Sequence, residues 1–176
     1  MKKLFFFTIL LISSNLFAQE NYKWDVVIDS LQKSKDKLYN DTKVFIVKTW
    51  NSANNVIQLD DKENSHIMVK GIIQEPISAG GTIIGDAYYS YLVNFYFKDN
   101  KAKISIDNVQ FSKQTVGMIW DTYLVNLPTK EYPGMTKAGL SKKSYERLYT
   151  NLNFKLQSII DMYIIDIKKE SKIDNW

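Results

Sequence analysis

The sequence predicts an α+β fold, a two-layer antiparallel sheet with two helices on one face. Three observations predict it. Tyr88–Phe111 alternates apolar and polar residues around a tight-turn signal, the pattern of a long hairpin with one buried face. Two other segments, Leu38–Ala53 and Ser141–Lys169, repeat apolar residues every three to four positions, as amphipathic helices do. The order strand, helix, about four strands, helix then supplies two helical stripes to cover one apolar sheet face.

The chain has 176 residues, 45% of them hydrophobic, with 4 Trp, 11 Tyr and 9 Phe. A single domain of this size buries about 70% of its unfolded surface and needs no covalent staples. There is no cysteine. That excludes a disulfide scaffold, a thiolate zinc site, an iron–sulfur cluster, a cysteine nucleophile and a lipid-modified cysteine. One histidine, His66, excludes a multi-histidine metal site.

Lys2-Lys3 opens the chain, and the run Leu4–Ile12 is apolar apart from Thr8. Ser13-Ser14-Asn15 and then Leu16-Phe17-Ala18 complete the pattern of a secretory signal peptide over residues 1–18. The run is too short to span a bilayer. Cleavage is expected near Ala18–Gln19, leaving one domain over residues 19–176, exported to the periplasm or beyond and not a lipoprotein. No later apolar run reaches spanning length, so no membrane span is expected after cleavage. Without Lys2 and Lys3 the net charge falls from +4 to +2, and Arg147 is the sole arginine. That charge is too small and too poor in arginine for a nucleic-acid surface.

Trp24–Ile28 reads as a first strand. Ser34 is a candidate N-cap for a helix whose stripe is Leu38, Thr42, Phe45, Ile46, Thr49, Trp50 and Ala53. Val56–Leu59 is strand-like, and Asp60–Asn64 is a polar turn. His66–Ile73 alternates, with Ile67, Val69, Gly71 and Ile73 on one face and His66, Met68, Lys70 and Ile72 on the other. Gln74–Asp86, with Pro76, Gly80, Gly81 and Gly85, reads as a loop. In the next strand Tyr89, Tyr91, Val93, Phe95 and Phe97 share a face, opposite Leu92, Asn94 and Tyr96. Asp99-Asn100 is the tight turn, and Ala102, Ile104 and Ile106 begin the partner strand. Residues 112–140 lack a period and read as a long insert or an extra strand. Ser141 is a candidate N-cap for a helix over residues 141–169, striped by Tyr145, Leu148, Leu152, Leu156, Ile159, Tyr163 and Ile167.

Several short motifs stand in a telling order. They are Ser34-Lys35-Asp36-Lys37-Leu38-Tyr39, Lys48-Thr49-Trp50, Val56-Ile57-Gln58, Asp60-Asp61-Lys62-Glu63, Lys70-Gly71 and Phe97-Lys98-Asp99-Asn100-Lys101. Over Trp24–Phe111 this order resembles the exported, Bacteroidota-type "domain of unknown function 4468, TBP-like fold" family. Asp99-Asn100 departs from the family's Asp-Gly turn, and Asn64-Ser65-His66 from its glycine-containing link. The resemblance implies a TBP-like β-α-β4-α fold. It implies no activity, because it carries no catalytic residues.

The candidate sites are weak as chemistry. Asp60, Asp61 and Glu63 lack the spacing of a calcium loop and read as a solvated turn. His66 stands without a partner in sequence and reads as an exposed or capping residue. Gly80-Gly81 and Gly85 are followed by no Lys-Ser/Thr and no helix start, unlike a phosphate loop. Asp99 and Asp107 are too far apart along the hairpin for an acid/base pair, and no G-x-S-x-G elbow is present. No catalytic residue, metal ligand or cofactor is therefore expected. What remains is the sheet face opposite the core, where Met68, Ile72, Leu92 and Tyr96 gather with Val27. That face either lies under Gly117–Leu127 folded over it or stays open, and an open face points to a non-enzymatic binding module for an unknown protein or envelope partner. A structural or assembly subunit, including a homo-oligomer, is the alternative, and a hydrolase of an envelope polymer is a third reading.

Overall fold

The computed structural model describes residues 24–50, 53–79, 82–115, 121–124 and 142–169. The expected leader at 1–18 and the N-cap at Ser141 lie outside the described residues. The elements are β1 (Asp25–Ile28), α1 (Lys35–Trp50), the short turn α2 (Ala53–Val56), β2 (Ile57–Asp61), β3 (His66–Ala79), β4 (Thr82–Lys98), β5 (Lys101–Thr115), β6 (Asp121–Leu124) and α3 (Lys142–Lys168). The strands form one antiparallel sheet in the order β1-β5-β4-β3-β2, and β6 pairs with the far half of β5. Helices α1 and α3 cover one face. This is the expected α+β architecture.

The core lies between that face and the helices. Ile67, Val69, Val93, Phe95 and Ile104 are fully buried from the sheet, as are Leu38, Ile46 and Leu156 from the helices. Phe45, Phe95 and Tyr163 form an aromatic knot where the layers meet, with ring centroids 4.9–6.3 Å apart. Tyr163 brings a hydroxyl into this knot. Thr42 donates to the Leu38 carbonyl at 2.8 Å, so the Tyr163 hydroxyl donates to Thr42 Oγ1 at 2.9 Å. Burial pushes the Tyr163 phenol well above its ordinary value.

The segment between β1 and α1 ties both helices to the sheet. Ser34 Oγ accepts the Lys37 N–H at 3.3 Å, the expected N-cap. Asp99, from the β4–β5 turn, accepts the Lys35 N–H at 2.8 Å and places a carboxylate at the positive end of α1. Asn100 has φ 63°, the left-handed conformation that Asn tolerates in such turns. Lys33 spends its three donors on Asp41 and on the carbonyls of Ile167 and Lys169, closing the C-terminus of α3.

Three details differ from the sequence reading. Within Gln74–Asp86, residues 74–79 and 82–86 are strand and not loop: β3 runs to Ala79 and β4 starts at Thr82, paired with one register shift between Ile77 and Ser78, while Gly80-Gly81 lie outside the described residues. Pro76 fits because β2 pairs only as far as Val69, so beyond it β3 is an edge strand among the described residues, where a missing N–H need not break a ladder. Gly85, read as part of a flexible loop, is paired with Ile77 and Thr115. Second, β5 carries a bulge opposite Tyr91, with Asn108 at φ 50°. The extra residue shifts the inward phase from Ala102, Ile104 and Ile106 to Val109 and Phe111. Third, β5 runs past the expected end of the hairpin at Phe111 to take in residues 112–115, while 121–124 form β6, an extra strand of the kind expected in 112–140. Residues 116–120 and 125–140 lie outside the described residues.

Candidate functional site: the open sheet face

The pleat sends every second side chain away from the helices. On this second face the register sets Val27, Lys103, Tyr96, His66 and Asp61 in one row across five strands. The next row is Asp25, Ser105, Asn94, Met68 and Leu59. Asp107, Leu92 and Lys70 follow, and Ile72 stands opposite Ser90 one step on. All four sequence-predicted residues, Met68, Ile72, Leu92 and Tyr96, thus lie on this face. Ile72 is 64% exposed, Val27 56% and Tyr96 39%. Met68 and Leu92 are half-buried between them.

A polar chain crosses the same face diagonally. His66 Nε2 lies 3.0 Å from Asn94 Oδ1, and Asn94 Nδ2 donates to Asp107 Oδ2 at 3.0 Å. The Tyr96 ring stacks on the His66 ring, with centroids 4.3 Å apart and planes within 15°. Asn94 is only 7% exposed although it belongs to the uncovered face. Solvent reaches part of Asp107, yet its partial burial raises its carboxyl above the usual value. The sequence reading of His66 as solitary is therefore corrected. Its partners come from β4 and β5, and only strand register brings them together. Asn94 and Asp107 were legible as polar positions opposite the core, but nothing in their spacing from His66 marks a contact.

The acidic turn is explained by structure. Asp60 turns toward α1, where it accepts from the Tyr39 hydroxyl and from Lys43 at 2.7 Å. These bonds, led by that of Lys43, hold its carboxyl below the usual range. Burial, then the Asp60 carboxylate, pushes the Tyr39 phenol up to about 12. Asp61 instead accepts from the Asn64 side chain and backbone, at 2.7 and 2.9 Å, and these bonds lower its pKa. The two carboxylates face different ways. Among the described residues no group of three His, Asp or Glu side chains gathers to hold a metal ion. Asp99 caps α1 and Asp107 belongs to the open face, so these two do not meet. No described helix is long and apolar enough to cross a membrane.

An antiparallel sheet roofed by two helices on one side, with its other face uncovered among the described residues, fits the class of TBP-like α+β proteins. The sequence comparison is specific: the family model described as "Domain of unknown function (DUF4468) with TBP-like fold" matches residues 24–112, and the chain belongs to that family. Two solved structures are similar in fold. One is a TBP-like protein from Parabacteroides distasonis ATCC 8503, with a TM-score of 0.61 at 11% identity, covering 85% of this chain and 94% of that one. The other is a DUF4468 family protein from Bacteroides ovatus ATCC 8483, with a TM-score of 0.56 at 10% identity, covering 85% and 88%. No curated protein matches the sequence.

Proposed function

We propose that this chain is an exported, non-enzymatic binding module that takes a protein or envelope partner on its open sheet face. The observation that carries the reading is the exposure of Val27, Ile72 and Tyr96 beside half-buried Met68 and Leu92, on the face that the helices leave uncovered. Aromatic and Met side chains are favoured in such surfaces because they bury much area at low entropic cost. Export is supported by the Lys2-Lys3 start and the Leu4–Ile12 run. N-terminal sequencing of the protein from its native host tests export. A product beginning near Gln19 is expected, and a cytoplasmic product that retains Met1–Ala18 refutes it.

The binding reading is tested by the Leu92→Asp, Tyr96→Asp double variant. It should keep its far-ultraviolet spectrum and lose capture of a partner from envelope extracts. Retained capture would refute the reading. One observation favours an assembly role as second reading. Among the described residues no strand pairs with the outer edge of β3 beyond Val69, and such an edge can accept a further strand. Solution mass that rises with concentration, in wild type but not in the double variant, would place a second copy on the open face. A rise unaffected by the double variant would point to the β3 edge.

A further inference from the structure

The helix layer is apolar on both of its sides. Toward the sheet, Leu148, Leu152, Leu156 and Tyr163 of α3 pack in the core. On the opposite side of α3, Phe154, Met162 and Ile165 fall at 0, +8 and +11, again one face of a helix. Phe154 is 74% exposed, Ile165 59%, and Met162 is about half open. Val44 and Val47 of α1 are exposed as well, and Lys48 of α1 reaches Asp166 of α3 at 3.9 Å, so the two helices present these residues on one outer surface. A lone exposed apolar side chain is ordinary, but five large ones sharing a surface mark a contact.

The charges on that surface follow a pattern. Counting from Phe154, Arg147 stands two turns back, Lys143 three turns back and Lys168 four turns on, so exposed cations bracket the apolar residues at both ends of one line. Asp161 is the carboxylate on the same line, and Gln157 donates to it at 2.9 Å. The helices also hold the positive charge of the domain. α1 has four lysines against two carboxylates and α3 five cations against three, a combined surplus of +4, whereas residues 19–176 together carry +2. Lys43 and Lys155 turn to Asp60 and Glu75, and Lys37 and Lys48 to Asp41 and Asp166, so the outward surplus rests on Lys143, Arg147 and Lys168.

A second copy of this surface would set like charges against each other. A polyanion with no apolar phase would leave Phe154 and Ile165 in water. Anionic headgroups over acyl chains meet both demands, because apolar side chains enter between the lipids while lysine and arginine stems reach back to phosphate. We propose that the outer surface of α1 and α3 lies on an anionic phospholipid surface, with α3 parallel to the membrane plane and Phe154, Met162 and Ile165 at the boundary of headgroups and acyl chains. The contact is peripheral, since no described helix is long and apolar enough to cross. The open sheet face then points away from the lipid. This inference stands whether or not that face takes a partner.

Vesicle flotation tests it, with wild type and variants each isolated from the native host. The Leu4–Ile12 run is common to all of them, so a difference in binding belongs to the helices. Wild type should float with vesicles of equal parts phosphatidylglycerol and phosphatidylcholine, and bind phosphatidylcholine alone at least about tenfold more weakly, at about fivefold per cation. Phe154→Gln, Ile165→Gln should keep the far-ultraviolet spectrum and lose about tenfold or more in binding, the worth of one buried apolar side chain. Lys143→Gln, Lys168→Gln should lose roughly tenfold or more on the anionic vesicles alone. No flotation of wild type, or equal flotation of wild type and the Phe154→Gln, Ile165→Gln variant, overturns the proposal. Because the chain has no cysteine, a dye can be set on either face. An environment-sensitive dye on Ser158→Cys, one turn on from Phe154, should brighten on the anionic vesicles, and one on Ser105→Cys on the open face should not. Brightening at Ser105 puts the lipid on the sheet face and overturns the assignment. A solution dimer that Phe154→Gln, Ile165→Gln abolishes, with no flotation of wild type, gives the surface to a second copy instead.

Discussion

Replacing Gly71 by alanine tests how tightly the sheet is closed under α1. Gly71 is paired directly with Tyr91, and the Tyr91 ring lies across it. A methyl group built on Gly71 would stand 2.2 Å from Tyr91 Cζ and 2.4 Å from its hydroxyl oxygen. The ring must retreat by roughly 1 Å to reach ordinary carbon contact at about 3.5 Å. Tyr91 is 3% exposed and its hydroxyl bonds to Trp50, so the ring has little free space to take. Overpacking of this kind costs about 1–3 kcal/mol. Loss of the Trp50 bond adds about 0.5–1.5 kcal/mol. Against this, alanine restricts the unfolded chain and returns about 0.4–1 kcal/mol. The clash wins, and Gly71→Ala should lose about 0.5–4 kcal/mol in net stability. Urea unfolding followed by tryptophan fluorescence measures it. A Gly71→Ala, Tyr91→Leu pair should recover part of the loss, because the shorter side chain clears the methyl group. The sign is decisive. A Gly71→Ala protein more stable than wild type would mean that backbone entropy alone governs the site and that the Tyr91 ring does not lie there.

Other perturbations separate the layers. Leu156 is fully buried in α3, so Leu156→Ala should cost about 2–5 kcal/mol in a denaturant midpoint series. Thr42→Val keeps the shape but removes the acceptor of the buried Tyr163 hydroxyl, which should cost about 1–3 kcal/mol, while Thr42→Ser should recover most of it. The Tyr39–Asp60 pair should act at both ends of the pH range. Asp60 is held below its ordinary value, so its contribution is present above about pH 4 and is lost as pH falls through the depressed value. Tyr39 is raised, so its contribution is full below about pH 10 and is lost as pH rises toward about 12. Midpoints across pH for wild type and Asp60→Asn, together with tyrosinate absorbance, check both limbs. An identical pH profile in the two proteins would refute the coupling.

The legible parts of the fold were those where one local signal decides. Tyr88–Phe111 alternates cleanly, and Asp99-Asn100 can adopt the turn that joins its strands, so the hairpin followed. The α1 and α3 stripes placed Leu38, Phe45, Leu152 and Leu156 in the core. Local signals misled where tertiary position overrode composition. Pro76 and Gly85 argued for a loop, but Pro76 falls on a sheet edge and Gly85 sits paired within the ladder. Tyr39 was missed because its burial depends on Phe97, whose ring meets it edge-on at 5.8 Å, and on Asp60 from a different strand. At the site, alternation alone placed Met68, Ile72, Leu92 and Tyr96 on one face. The His66–Asn94–Asp107 chain stayed hidden, because the three residues are separated by 28 and 13 positions and meet only through strand register.

The two faces of the sheet divide the polar chemistry between them. On the helix side two buried polar groups are tied to partners across the layers. Tyr163 bonds to Thr42, and Glu75, 6% exposed, is paired with Lys155 and accepts from Asn151 at 3.3 Å. Removing one partner there strands the other in the core, so these groups are bound to stability. On the open side the apolar residues are exposed and the polar chain spans three strands whose register the backbone ladder already fixes. Substitution on that face has little packing to lose, which is the condition under which surface changes stay within about 0.5 kcal/mol. The Asn94 bridge is the exception, because an amide at 7% exposure is desolvated whether or not its partners remain. A face with little packing of its own, yet carrying a desolvated hydrogen-bond chain among exposed apolar side chains, is the surface on which the proposed binding rests. Stability in this domain is thus carried by the helix side of the sheet, and the binding we propose by the opposite side of the same strands.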